Sequence, residues 1–159
     1  MKIMITRKGM VLSLLFCCCI SVTLAAQTGF PPEARIRFSV DDGWRFLPEG
    51  VADAFEQNFD DSKWERVSLP HTWNSKDPFD DDGTYKRFIG WYRKEIRLNG
   101  RFKDREVFLN FEGANQVTDV YVNGAFAGEH KGGYTGFTID ITPFLSWKGD
   151  MGTGLMAIQ

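Results

Sequence analysis

The chain has 159 residues, 19 Lys and Arg against 21 Asp and Glu, and a net charge of −2. No basic excess exists to cover a phosphate backbone, so a nucleic-acid partner is not expected. The three cysteines form one run, Cys17, Cys18 and Cys19, near the N-terminus; the globular part that follows therefore has no disulfide, no thiolate zinc site and no cysteine nucleophile.

The first 26 residues read as a secretory signal peptide. Lys2, Arg7 and Lys8 form a basic head, Met10 to Val22 an apolar run, and Thr23 to Ala26 a stretch of small residues for cleavage. The run is short of the ~20 residues that a spanning helix needs, so no stable membrane span is expected after removal. Export to the periplasm or the extracellular space is the expectation. A lipoprotein is the weaker variant, because Phe16 stands where lipoprotein processing wants a small residue. Without the three cations of this segment, 16 basic residues face 21 acidic ones, a net charge of −5. One domain, from residue 30 to 159, is long enough to hold together by its core alone.

Ile36, Phe38 and Val40 alternate with Arg35, Arg37 and Ser39, giving a first strand; Asp41-Asp42-Gly43 is a turn, and Trp44 to Leu47 a second strand. Phe59 to Trp64 carries capping residues and reads as one tight or helical turn. Glu65 to Leu69 is a strand closed by Pro70. Asp77 to Gly83 is an acidic loop in which Pro78 and Ile89 stand where an EF-hand needs its first ligand and its bidentate Glu, so that calcium motif is rejected. No metal and no cofactor are expected.

Gly90 to Leu98 alternates Trp91, Arg93, Glu95 and Arg97 with Tyr92, Lys94, Ile96 and Leu98, which predicts a strand with one wetter face. Val107, Leu109 and Phe111 predict the inward face of the next. Val120 and Val122 alternate with Asp119, Tyr121 and Asn123, and Asn123-Gly124 is the strongest short hairpin signal, since a type I′ turn needs positive φ at both central residues. Gly128, Gly132, Gly133 and Gly136 mark an elaborated loop. Thr142 to Leu145 reads as a short helical turn. Met151-Gly152-Thr153-Gly154 then intervenes before a last strand, Leu155 to Gln159, expected to be incomplete. Many short strands between turn signals predict an all-β, antiparallel β-sandwich of jelly-roll type.

Four segments in series, FDDSKWERVSLPHTWN (59–74), GWYRKEI (90–96), FEGANQVTDVYVNG (111–124) and GEHKGGYTGFTIDIT (128–142), make the chain similar to the N-terminal sugar-binding domain of glycoside hydrolase family 2, which includes β-galactosidases and β-glucuronidases. The resemblance implies a galactose-binding-like jelly roll, carbohydrate as the ligand, and downstream immunoglobulin-like and (β/α)8-barrel domains as partners within the full-length enzyme. Retaining hydrolysis uses two carboxyl groups about 5–5.5 Å apart. In the family both belong to the barrel, which is missing here, so the chain reads as a truncated piece, inactive alone. Glu95, Glu106, Glu112 and Glu129 are given no catalytic role. A free-standing carbohydrate-binding module and a structural interaction domain are the alternatives, because fold does not fix function.

The candidate carbohydrate contacts are Trp73, Asn74, Tyr85 and Arg87 around the acidic loop, and His130 and Tyr134 around the glycine loop. Each combines a stacking surface or hydrogen-bonding groups with a loop position. For His71 a structural role at the strand exit is favoured over sugar contact, and Asn123 is assigned to its turn.

Overall fold

The computed structural model describes residues 1–7, 35–72 and 89–159. Eleven strands appear among them, joined by two short 3-10 turns: β1 (Lys2–Arg7), β2 (Arg35–Ser39), β3 (Trp44–Leu47), β4 (Glu65–Val67), β5 (Trp91–Asn99), β6 (Arg105–Phe111), β7 (Val117–Val122), β8 (Ala125–Lys131), β9 (Phe137–Asp140), β10 (Ser146–Lys148) and β11 (Met151–Ile158). They build two antiparallel sheets, one in the order β2-β1-β6-β9, the other β4-β3-β5-β11-β7-β8 with β10 paired to β11. The expected all-β sandwich is what these residues form.

The alternation along the strands sets the core. Val107, Leu109 and Phe111 of β6 and Ile139 of β9 come from the first sheet; Trp44, Phe46, Ile96, Leu98, Val120, Val122, Met156 and Ile158 come from the second. All are buried between the sheets, and the four expected core residues, Leu109, Phe111, Val120 and Val122, are among them. The β7–β8 hairpin turns at Asn123 (φ 52°) and Gly124 (φ 84°), both positive as a type I′ turn requires. Asn123 does more than turn the chain. Its amide donates to Phe144 O at 2.8 Å and accepts from Leu155 N at 2.9 Å, tying the hairpin to β11 and to the 3-10 turn at Thr142–Phe144.

Three expectations need correction. The first concerns residues 1–26, expected to lie outside the fold. Residues 8–26 lie outside the described residues, but Lys2–Arg7 is β1, paired with both β2 and β6. The reason is local: Ile3 and Ile5 alternate with Lys2, Met4 and Thr6, and both isoleucines are completely buried. The Met1 amine binds Asp41, and Lys2 binds Glu112. The second is the wetter face of β5. It is wet only from Glu95 onward; Trp91 and Arg93 are buried, because the turns of residues 51–64 fold over that end and add a satellite cluster of Ala54, Trp64, Trp91 and Ala157. The third is the stretch Met151–Gly154, which is not an interruption but the first half of β11, paired with β5 from Met151 to Ile158. Its glycines are required by close packing. A Cβ at Gly152 would stand 2.6 Å from the Trp147 ring, and one at Gly154 2.8 Å from Leu145.

Candidate functional site

Of the six expected carbohydrate contacts, Trp73, Asn74, Tyr85 and Arg87 lie outside the described residues. His130 and Tyr134 fall at the same loop, between β8 and β9. His130 is half-buried, its ring stacked on Phe137 at 4.0 Å and 13°, and Phe137 in turn stacks on Phe111 at 4.4 Å and 7°. Its Nε2 sits 3.3 Å from Thr135 Oγ1. This histidine fastens the loop to the sandwich. Tyr134, in contrast, is fully exposed. His71 is placed as expected at the end of the chain leaving β4: Nδ1 lies 2.9 Å from the Tyr92 hydroxyl, and the ring meets Phe46 edge-on at 4.7 Å.

Two of the open clefts among the described residues are large enough for a small ligand. The larger, about 670 Å³, is lined by Arg45, Gln57, Asp61, Arg93, Lys94, Glu95, Asn123 and Lys148, among others. Its polar floor is held together by Arg93, which is 1% exposed. The guanidinium donates from Nε to Asp61 Oδ2 at 3.1 Å, from Nη1 to the carbonyls of Ala54 and of Glu56 (2.9 Å), and from Nη2 to Phe59 O at 3.5 Å. It also lies over the Phe59 and Trp64 rings, 5.5 and 5.9 Å from their centroids. Arg45 completes the network by donating to Asp61 Oδ1 at 2.8 Å. Arg93 is thus a clamp on residues 54–61, and its donors are engaged within the protein rather than aimed at a ligand.

The second cleft, about 370 Å³, is lined by Gly50 to Asp53, Phe55, Ile89, Trp91, Tyr121 and Gln159. Tyr121 stacks on Phe55 at 4.9 Å and 20°, lies 5.9 Å from Trp91, and receives the edge of Phe126, itself 53% exposed. Burial first, and then the nearby Asp119 charge, pushes the Tyr121 hydroxyl above the ordinary tyrosine range, so it stays a neutral donor at physiological pH. Trp91 Nε1 is buried with no hydrogen-bond partner among the described residues. The half-buried rings of Phe55 and Tyr121 offer an apolar wall that suits a ligand presenting a C–H face, while the buried Trp91 N–H is out of a ligand's reach. Ile89 opens the described chain here, two residues after Arg87 in sequence. Sequence reasoning missed Phe55, Trp91 and Tyr121 because aromatics on strands are most often core. The run of glycine, acidic and aromatic residues before Trp64 was the signal that something covers β5.

The four glutamates set aside on sequence are each held by a neighbouring side chain. Glu95 accepts from Arg97 at 3.1 Å, Glu106 from Thr6 at 3.0 Å, Glu129 pairs with Lys131 at 2.6 Å, and Glu112 pairs with Lys2. The Lys2 hydrogen bond holds the Glu112 carboxyl below its ordinary range, the opposite of what a general acid requires. Among the described residues no three His, Cys, Asp or Glu side chains gather as a metal site, and no helix is long and apolar enough to cross a membrane.

Comparison with known proteins follows the same lines. Residues 34–156 match the family described as "Glycosyl hydrolases family 2, sugar binding domain". A β-galactosidase of Thermoanaerobacter pseudethanolicus is 45% identical over 114 residues, covering 70% of this chain and 15% of that protein. A putative β-glucuronidase of Formosa agariphila is 40% identical over 132 residues, covering 80% and 16%. The crystal structure of Bacteroides uniformis β-glucuronidase superimposes with a TM-score of 0.68 at 37% identity, over 76% of this chain and 14% of that one. The chain thus spans about 15% of the length of such relatives. By its match over residues 34–156 and its two-sheet sandwich, the chain belongs to the sugar-binding-domain family of glycoside hydrolase family 2.

Proposed function

We propose that this chain is the non-catalytic, carbohydrate-contacting N-terminal domain of an exported family 2 glycosidase of the β-galactosidase or β-glucuronidase kind. Immunoglobulin-like and barrel domains would follow it in the full-length enzyme and supply the catalytic pair. The observation that carries the reading is the family match across residues 34–156. The aromatic cleft of Phe55, Trp91 and Tyr121 is the surface we assign to the sugar, with the half-buried rings of Phe55 and Tyr121 offered to a pyranose C–H face. The basic head and apolar run of residues 2–22 support export.

The test has two arms. Titration of the isotope-labelled chain with methyl β-galactoside and methyl β-glucuronide is expected to shift the Trp91 indole and Tyr121 resonances in the millimolar range. No shift at saturating sugar would overturn the carbohydrate assignment. With aryl β-glycosides the purified chain is expected to release nothing above the blank. Turnover that survives purification and vanishes in a Glu112→Gln, Glu129→Gln double variant would overturn the non-catalytic assignment.

A further inference from the structure

The aromatic cleft carries two polar groups that the protein leaves unused. Asp53 and Tyr121 both line it, and among the described residues neither the Asp53 carboxylate nor the Tyr121 hydroxyl has a hydrogen-bond or ion-pair partner. Asp53 is fixed at the cleft by its backbone. It stands at φ 62°, in the left-handed region that aspartate tolerates, and its carbonyl accepts from Glu56 N at 2.9 Å to close a tight turn. Its side chain is exposed. Tyr121 comes from β7, its ring stacked on Phe55 at 4.9 Å. The Asp119 carboxylate, two residues earlier on the same strand, is near enough to act on that hydroxyl.

The charge balance says which ligand this cleft suits. Among the described residues that line it there is one acid, Asp53, and no Lys or Arg, and Asp119 adds a second negative charge nearby. The larger cleft has the opposite balance, with Arg45, Arg93, Lys94 and Lys148 against Asp61 and Glu95. A carboxylate only accepts hydrogen bonds, and its two oxygens can take a pair of neighbouring hydroxyls; a protonated phenol can donate one to a sugar oxygen. A second carboxylate brought to the same place meets like charge. We propose that the aromatic cleft selects a neutral pyranoside over a uronide, and that Asp53 sets the preference, accepting from the hydroxyls of a neutral sugar and repelling the carboxylate of an acidic one. Selectivity of this kind comes as much from the competitor that is repelled as from the bonds that are made. The inference rests on the assignment of this cleft to carbohydrate, and adds to it the charge class of the sugar and the residue that discriminates.

The experiment uses the full chain and two pairs of sugars that differ only at C6: methyl β-galactoside with methyl β-galacturonide, and methyl β-glucoside with methyl β-glucuronide. The Tyr121 resonances of the isotope-labelled chain report binding. At low salt the neutral member of the pair that binds should be the tighter by about fivefold, the effect of two like charges about 4 Å apart in water. At about 1 M salt, where the screening length falls to about 3 Å, the gap should close. Asp53→Asn keeps a side chain that tolerates the left-handed backbone and removes the charge, so the two members should then bind within about twofold of each other. Asp42→Asn makes the same change of net charge at a residue that lines neither cleft, and should leave the original ratio. Equal affinities within a pair, a tighter uronide, a gap that ignores salt, or an Asp53→Asn chain with the unmodified ratio would each overturn the inference while leaving the carbohydrate assignment in place. So would an Asp42→Asn chain that closes the gap as far as Asp53→Asn does. Binding of none of the four sugars would overturn the carbohydrate assignment, and the selectivity with it.

Discussion

Replacing Arg93 by Met tests whether the fold over β5 depends on one side chain. The substitution roughly keeps volume and removes the guanidinium. The loss can be worked bond by bond. Glu56 O retains a partner in Phe59 N at 3.3 Å, and Asp61 retains Arg45 at 2.8 Å. The carbonyls of Ala54 and Phe59 lose the donor described here, and Asp61 loses its buried cation. An orphaned buried acceptor costs about 1–3 kcal/mol, and breaking a buried pair from one side about 3–5 kcal/mol in all. Arg45→Met is the control. Its side chain is 33% exposed, and solvent screening limits such a pair to about 1 kcal/mol or less. Because a domain has only about 5–15 kcal/mol of stability, the first change should move the urea midpoint severely and the second slightly. Trp64 and Trp91 fluorescence follows the affected cluster directly. Equal losses for the two variants, or a loss below about 1 kcal/mol for Arg93→Met, would refute the clamp.

Two further outcomes follow from the same reasoning. Asn123→Ala removes the bonds to Phe144 O and Leu155 N and leaves a non-glycine residue at positive φ; a loss of about 2–4 kcal/mol is expected in urea titration, and Asn123→Gly should recover only the backbone part. The second concerns acid. The hydrogen bond from the Met1 amine, and then that from Ser39, lowers the Asp41 carboxyl below its ordinary range. A depressed folded value contributes stability that is fully present above the unfolded value and is lost as pH falls through the folded one. The unmodified chain should therefore lose more stability than Asp41→Asn below about pH 4, and melting curves across that range would show parallel behaviour if the contact were immaterial.

How far the sequence leads depends on whether a residue's fate is settled by its own neighbours or by a distant segment. The sandwich was legible because period-two alternation and the Asn123-Gly124 turn are local, and four core residues follow from parity alone. Arg93 was not. Its parity with Glu95 and Arg97 places it outward, and only the turn at residues 54–61, which reaches over from elsewhere in the chain, makes that position interior. Met151–Gly154 misleads for a related reason. Two glycines suggest a linker until Trp147 and Leu145 are seen to occupy the space that side chains would fill. The candidate cleft was not legible: His130 and Tyr134 line neither cleft, and the aromatic one arises from Phe55, Trp91 and Tyr121 on three separate elements.

Lys2–Arg7 shows what specifies a strand held between two others. With one face on the core, such a strand needs apolar residues at every second position. Lys2, Met4 and Thr6 alternate with Ile3 and Ile5, so the Lys2 cation falls on the outward parity and costs the strand nothing. The segment is a paired strand whose amine is bonded to Asp41. The main-chain bonds of that pairing are the same for any sequence, and only the inward positions meet the core. Val107 and Leu109, opposite Ile5 and Ile3, therefore fix the parity of the strand, with the two isoleucines inward and Lys2 outward.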